Sequence, residues 1–367
     1  MKLNRFLIIP GTSISTGVIG SLLLAISFFF TTCKKPEHFV GKEYKEASKD
    51  LSVVYFETDG SKNDLTTGID FTKDSIAVRG ELSERTTWFV TFRGLSSGAV
   101  KTIDGLSQII DPSLAKWGGD HDPANLKFFQ KGEQVVAELS FVSSSIIRRD
   151  TFTIKETKKF NGDVLFNGFE NALGFYSWGN NYLFFNETEP LSNPANPITF
   201  SIDTKYFVQG KQALSIIGAD NDNSYFIGGA RTFFPQGSRY FQMKSFNPDS
   251  VYFNAYIYGD PKFPNTRVAI GVGEDDDLNG TFTPASEDVW EYAIKINWKG
   301  WRLISLKYST FTPSASRIEG GSGNQRKELD RVKQITFNIL SDPAGNKASY
   351  LVDFPIITYG EPFNPSK

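Results

Sequence analysis

The chain is poor in the residues that carry most enzymatic chemistry. It has one cysteine, Cys33, and two histidines in 367 residues. A single thiol excludes a disulfide framework within the chain. Two imidazoles leave little for histidine-based catalysis or a transition-metal centre. The net charge is −2 and there is no basic block; the longest run of one sign is acidic, Glu274–Asp277. Nothing here offers nucleic acid an electrostatic footprint. The P-loop, nucleophile-elbow, zinc-protease and dinucleotide-binding signatures are absent. No motif pairs two of the 41 acids as a glycosidase would. Helical periodicity is missing as well, which argues against a parallel βαβ architecture. A non-enzyme is expected.

Aromatic residues are abundant, with 33 Phe and 14 Tyr. These types favour pleated, half-buried strands, so an all-β protein is expected. The length allows two domains.

Lys2 and Arg5 precede a stretch without charge that lasts to Lys34, densest in apolar residues over Val18–Phe30. It ends at Thr31-Thr32-Cys33. The segment resembles a bacterial lipoprotein signal, although Phe30 and Thr32 stand where that pattern prefers leucine and a small residue. The resemblance implies a signal peptide over 1–32, lipidation of Cys33, and a protein anchored at the outer membrane or cell surface. Removing 1–32 takes away two basic residues and no acid, leaving a net charge of −4. The alternative is an uncleaved anchor over Phe6–Phe30, long enough to cross a bilayer. Pro10, Gly11 and Gly17 weigh against it. Residues 33–50 mix Lys and Glu with few apolar side chains and read as a flexible tether.

Over 51–157, short β-type runs are split by Gly, Asp and Ser turns: 51–58, 75–79, 86–92, 134–142 and 151–154. Val135, Ala137, Leu139 and Phe141 share one parity, as on a half-buried strand. A small Ig-like sandwich is expected, and KWGGDHDPANLKFFQKGE loosely resembles Ig- or PKD-like spacer domains. Trp88 and Trp117 read as core. His121, between Asp120 and Asp122, reads as part of a solvated turn rather than a metal site.

Over 158–367 the runs lengthen, with about nine strands of the kind that build a jelly-roll sandwich. The order of NGFE at 167–170, VQGKQALSI at 208–216, VYFNAYIYG at 251–259, WKGWRLISLKYSTF at 298–311, KQITFNI at 333–339 and YLVDFPII at 350–357 is similar to family-11-like carbohydrate-binding modules, which are galactose-binding-like jelly rolls. The resemblance implies a glycan ligand and a structural Ca²⁺ held by Glu170 and Asp353; a solvated Glu170 and an amide-bonded Asp353 is the alternative.

The acidic run supplies its own expectation. Asp275, Asp277 and Asn279, followed by Gly280, match positions 1, 3, 5 and 6 of a calcium loop. Position 12 is Ser286, and Glu287 comes one residue late. Oxygen-only donors favour Ca²⁺ over a transition metal; a solvated acidic hairpin is the other reading.

On VYFNAYIYG, Tyr252, Asn254, Tyr256 and Tyr258 share the face opposite Val251, Phe253, Ala255 and Ile257. Rings spaced about 7 Å apart along a strand suit sugar faces, with the amide bonding hydroxyls. Arg267 and Asn338 are expected to join from neighbouring strands. The competing reading buries that face against the first domain. Phe175, Tyr176 and Trp178 are expected in a loop, where contact with a partner is common. Trp290, Tyr292, Ile294, Ile296 and Trp298 form a core stripe. The sequence therefore supports a non-catalytic, lipid-anchored glycan-binding protein, with a structural or adhesion lipoprotein binding an envelope protein as the alternative.

Overall fold

The computed structural model describes residues 43–59, 68–165, 169–170, 175–178, 182–185, 196–233, 240–280, 282–283, 286–314 and 323–366. Residues 45–367 form one compact unit. The signal segment, Cys33 and residues 34–42 lie outside the described residues.

The tether expected to reach residue 50 ends sooner. Lys45 N donates to Thr87 Oγ1 at 2.9 Å, and Thr87 N donates to the Lys45 carbonyl at 3.0 Å. Ala47 packs on the first core and Leu51 is buried in it. One apolar side chain per turn of an otherwise polar segment is enough to dock it.

The first core is wrapped by β1 (Val53–Asp59), β2 (Ile69–Asp70), β3 (Ile76–Gly94), β4 (Val100–Ile110), β5 (Lys116–Trp117), β6 (Gln134–Phe141) and β7 (Arg148–Glu156). They run in the order β1-β3-β6-β7-β2, with β4 and β5 also on β3. Two strands expected at 75–79 and 86–92 are one. The polar residues 83–85 do not break the chain; they mark a slip in the β3–β4 register between Glu81 and Thr86. Beyond the slip β3 takes up β6, while before it β3 holds β1. Trp117 fills the centre, in ring contact with Phe71, Phe92, Phe129 and Phe152. Its indole N–H donates to the Asp120 carbonyl at 2.6 Å.

The second core lies between two sheets. The back sheet contains β8 (Asp163–Val164), β11 (Ile198–Asp203), β12 (Ala213–Ala219), β14 (Val251–Gly259), β17 (Gly300–Lys307) and β20 (Lys347–Tyr359), in the order β11-β12-β20-β14-β17 with β8 also on β20. The front sheet contains β9 (Phe175–Trp178), β10 (Tyr182–Phe185), β13 (Phe226–Phe233), β15 (Thr266–Glu274), β16 (Val289–Lys295), β18 (Thr312–Pro313) and β19 (Val332–Ser341), in the order β18-β16-β15-β19-β13-β10-β9. Val251, Phe253 and Ile257 of the back sheet meet Val268, Ile270, Ile335 and Phe337 of the front sheet. Every second residue faces inward, as the alternation predicts. The protein is an all-β sandwich structure, and no α-helix occurs among the described residues. Residues 240–244 form no strand.

A third apolar cluster joins the two cores. Phe128, from the loop before β6, meets Tyr256, Phe354 and Phe363. The Phe128 amide donates to the Val208 carbonyl at 2.9 Å, crossing the same seam.

Candidate functional site

The expected tyrosine face is divided by this seam. Tyr256 and Asn254 are fully buried, while Tyr252 and Tyr258 are half-buried. The ring of Phe128 stands edge-on to that of Tyr256 at 5.9 Å. Asn254 serves the fold: its Nδ2 donates to the Ile356 carbonyl and to Thr358 Oγ1, and its Oδ1 accepts from Phe363 N. The four residues do share a face, but an aromatic loop of the first sandwich covers its centre. They form no open platform. Tyr258 remains at the margin, beside Tyr206 and Trp301.

Arg267 and Asn338 lie elsewhere. The neighbours of β14 are β17 and β20, whereas β15 and β19 pair with each other in the front sheet. Arg267 is ion-paired with Asp342 at 3.0 Å near the end of that sheet. Tyr176 and Trp178, expected in a loop, belong to β9, which pairs with β10.

The cation expected at Glu170 and Asp353 does not fit. Asp353 is fully buried, and Oδ2 accepts from Val208 N and Gln209 N at 2.6 and 2.9 Å while Oδ1 accepts from Phe354 N. Both oxygens of Glu170 accept from Lys211 N. A divalent ion wants six to eight oxygens and no amide donors in competition. Asp353 instead stitches residues 208–209 to β20, at the bulge where Phe354 takes φ +44°. Burial raises its pKa to about 7 against the lowering effect of those three amides. The reading with Asp353 bonded to loop amides is the one the structure has; Glu170 is half-buried. His121, expected in a solvated turn, is buried with its ring 4.4 Å from Phe128, and burial lowers its pKa to about 4.

The acidic loop sorts into two sets by strand parity. Glu274, Asp276 and Asp288 form the inner set. Glu274 accepts from Tyr308 Oη at 2.5 Å, Trp290 Nε1 at 3.0 Å and Glu328 N at 2.9 Å. Burial still raises its pKa to about 7. Asp276 Oδ2 accepts from Asp288 N, and Asp288 Oδ2 from Gln325 N. This set clasps the 324–331 segment to the sandwich. The outer set is Asp275, Asp277 and Glu287, three of the four loop residues expected to hold Ca²⁺, with a carboxylate oxygen of each within 4.8 Å of the others. The fourth, Asn279, donates through N and Nδ2 to Asp277. Gly280 has φ +85°, the sharp turn expected of it. Glu287 closes the set although it comes one residue late, because its N donates to the Thr283 carbonyl while Thr283 N donates to its Oε2. Two ionised carboxylates at this spacing repel by about 3 kcal/mol at an effective dielectric constant of about 20. Burial first, then Asp275, raises the Glu287 pKa to about 7.

The front sheet's outer face was not foreseen as a unit. Gln334, Thr336 and Asn338 point outward along β19, alternating with the core residues Ile335, Phe337 and Ile339. Arg231 of β13 lies opposite Thr336. The facing positions are small: Gly229 and Ala269 flank Asn338, Gly271 flanks Thr336, and Gly273 flanks Gln334. A methyl group on Gly229 would lie 2.7 Å from Asn338 Oδ1, and one on Gly271 2.5 Å from Thr336 Oγ1. Gln334 Oε1 and Asn338 Oδ1 are buried without a hydrogen-bond partner. Glu291 of β16 faces the row; burial raises its pKa, while bonds from Ser314 and Asn338 lower it. Phe282, in the acidic loop, lies over Gly273. The signal was present in the sequence as polar residues at every second position of β19 and glycines on the neighbouring strands. Asn338 is the one member of the row that the sequence alone marks as a ligand residue.

No protein-family profile matches the chain, and no curated protein is similar to it. Solved structures with a similar fold include two carbohydrate-binding modules. One is the family 11 module of the cellulosomal cellulase Lic26A-Cel5E of Clostridium thermocellum, 15% identical, covering 55% of this chain and 96% of that one with a TM-score of 0.36. The other is the CBM22-1 xylan-binding domain of Paenibacillus barcinonensis Xyn10C, 14% identical, covering 55% and 98% with a TM-score of 0.32.

Proposed function

We propose that this protein is a non-catalytic glycan-binding lipoprotein of the cell envelope, anchored through Cys33 and exposed at the outer membrane or cell surface. The first sandwich acts as an Ig-like spacer. The glycan lies on the outer face of the front sheet, along Gln334, Thr336 and Asn338. The observation that carries this reading is the pair of buried, unpaired amide oxygens, Gln334 Oε1 and Asn338 Oδ1, above a floor of glycine and alanine. An unpaired buried acceptor costs about 1–3 kcal/mol, and sugar hydroxyls are donors of the right kind. A ring such as Phe282 supplies an apolar contact for the C–H face of a sugar.

Affinity electrophoresis and a glycan array with residues 34–367 test this. Retardation by a polysaccharide, lost in Gln334→Ala/Asn338→Ala, is the expected result. Binding that survives this double change removes the site. Capture of an envelope protein that no sugar displaces, with no glycan bound, returns the adhesion reading.

A further inference from the structure

The acidic loop contains two carboxylate sets that alternate along the same few residues. Protein donors occupy both oxygens of Glu274 and tie the inner set into the fold, where Asp276 Oδ1 alone of the Glu274 and Asp276 oxygens is buried without a partner. In the outer set each buried acid has one oxygen fixed and the other free. Asp275 Oδ2 accepts from Tyr240 Oη and Gly280 N at 3.0 and 2.8 Å, while Oδ1 is buried without a partner. Glu287 Oε2 accepts from Thr283 N, while Oε1 is buried without a partner. Asp275 is 0% exposed and Glu287 1% exposed, so water does not reach the free oxygens from outside. Asp277 completes the set from the solvent side. No ion pair joins any of the three to a lysine or arginine among the described residues. At Asp275 and Glu287, fixed donors on one oxygen and a bare second oxygen are the arrangement of a preorganised ligand shell, in which the donors orient the metal-binding atoms, while Asn279 orients Asp277.

We propose that Asp275, Asp277 and Glu287 bind one divalent cation of the calcium class, and that this ion sets the glycan face. The donors are all oxygen, which selects a hard cation. The set is irregular and open to water at Asp277, which suits the flexible coordination of Ca²⁺ better than the strict octahedron of Mg²⁺. The second part follows from Phe282. It lies between the ligands Asp277 and Glu287, and its ring covers Gly273 beside Gln334. An ion that closes the loop therefore also seats the ring at one end of the proposed sugar row. This coupling rests on the glycan reading; the cation site does not.

The test uses the full chain in detergent micelles, stripped with EDTA and dialysed. Titration calorimetry with CaCl₂ is expected to give one site per chain, with MgCl₂ binding at least about tenfold more weakly. Calcium is expected to raise Tm. Asp277→Asn, at an exposed position where folding is not at risk, is expected to weaken calcium binding at least about tenfold. Glu287→Gln is expected to do the same. Absence of calcium heat and of any Tm change overturns the site and leaves Asp275 and Glu287 as a proton-sharing pair. Calcium binding unaffected by both variants overturns the ligand assignment. Affinity electrophoresis is then run with calcium and with EDTA. Glycan retardation that falls with EDTA and in Asp277→Asn supports the coupling. Retardation equal in both conditions overturns the coupling and leaves the ion structural. No retardation in either condition overturns the glycan reading, and the coupling with it, while the calorimetry decides the cation site separately.

Discussion

The two outer faces of the larger sandwich rest on one core and present opposite chemistry. On the back sheet, Tyr256, Phe354 and Ile356 are met by Phe128 and Phe363, and the face is closed by rings. On the front sheet, Arg231, Gln334, Thr336 and Asn338 stand over glycines, with acceptors that no protein group satisfies at 334 and 338. The lesson is that strand parity identifies which residues share a face and is silent about what covers it. Tyrosines suggest a sugar platform in isolation, yet aromatic side chains are also what one sandwich uses to pack on another. The polar row is less conspicuous in sequence but has hydrogen-bonding capacity left over.

Removing the aromatic closure should have the largest effect. Phe128→Ala is expected to cost about 3–5 kcal/mol in urea unfolding, since a buried ring with neighbours on several sides leaves a cavity. A loss under 1 kcal/mol would mean that the seam contributes little. Next comes the polar row: Gln334→Ala/Asn338→Ala is expected to weaken glycan retardation at least about tenfold, or about 1.4 kcal/mol, with Tm nearly unchanged. A large Tm drop with unaltered binding would make the row a structural feature like its counterpart.

A third effect is pH dependence at the closed face. Burial raises the Asp353 pKa from 3.8 to about 7 in the folded chain. Between those values the folded state holds a proton that the unfolded state has released. This contribution to stability is full below about 4 and is lost as pH rises through about 7. Thermal unfolding from pH 5 to 8 is expected to show a falling Tm, with a shallower slope in Asp353→Asn. Equal slopes would assign the pH dependence to other acids. The smallest effect is expected from Tyr256→Phe. Its hydroxyl is buried without a partner, so stability should be unchanged or raised by up to about 1 kcal/mol, with glycan retardation the same. A clear loss of either would restore Tyr256 as a functional group.

How far the sequence could be read follows from the range of each signal. Alternation acts over a few residues, so β6 and β14 are legible nearly to their ends. The glycine turn at Gly280, with φ +85°, is equally local. β4 (Val100–Ile110) was missed because its side chains are mostly half-exposed and show no clean period. The calcium-like spacing of Asp275, Asp277 and Gly280 made the sharp turn at Gly280 legible. Pairings between distant segments carried no local mark. Nothing near Tyr256 announces Phe128, and nothing near Asp353 announces the amides of 208 and 209. Nor does a strand's own sequence state its sheet, which is why Arg267 and Asn338 were assigned beside β14 and stand on the opposite layer.

The long strand β3 has a consequence for how the first sandwich fails. Residues 76–94 pair with β1, β4, β5 and β6. Loosening any of these four partners exposes amides held by the same backbone. Native-state hydrogen exchange along 76–94 should therefore be released as a block at one denaturant concentration. A load arriving from the N-terminal side would meet an all-or-none barrier instead of a graded spring.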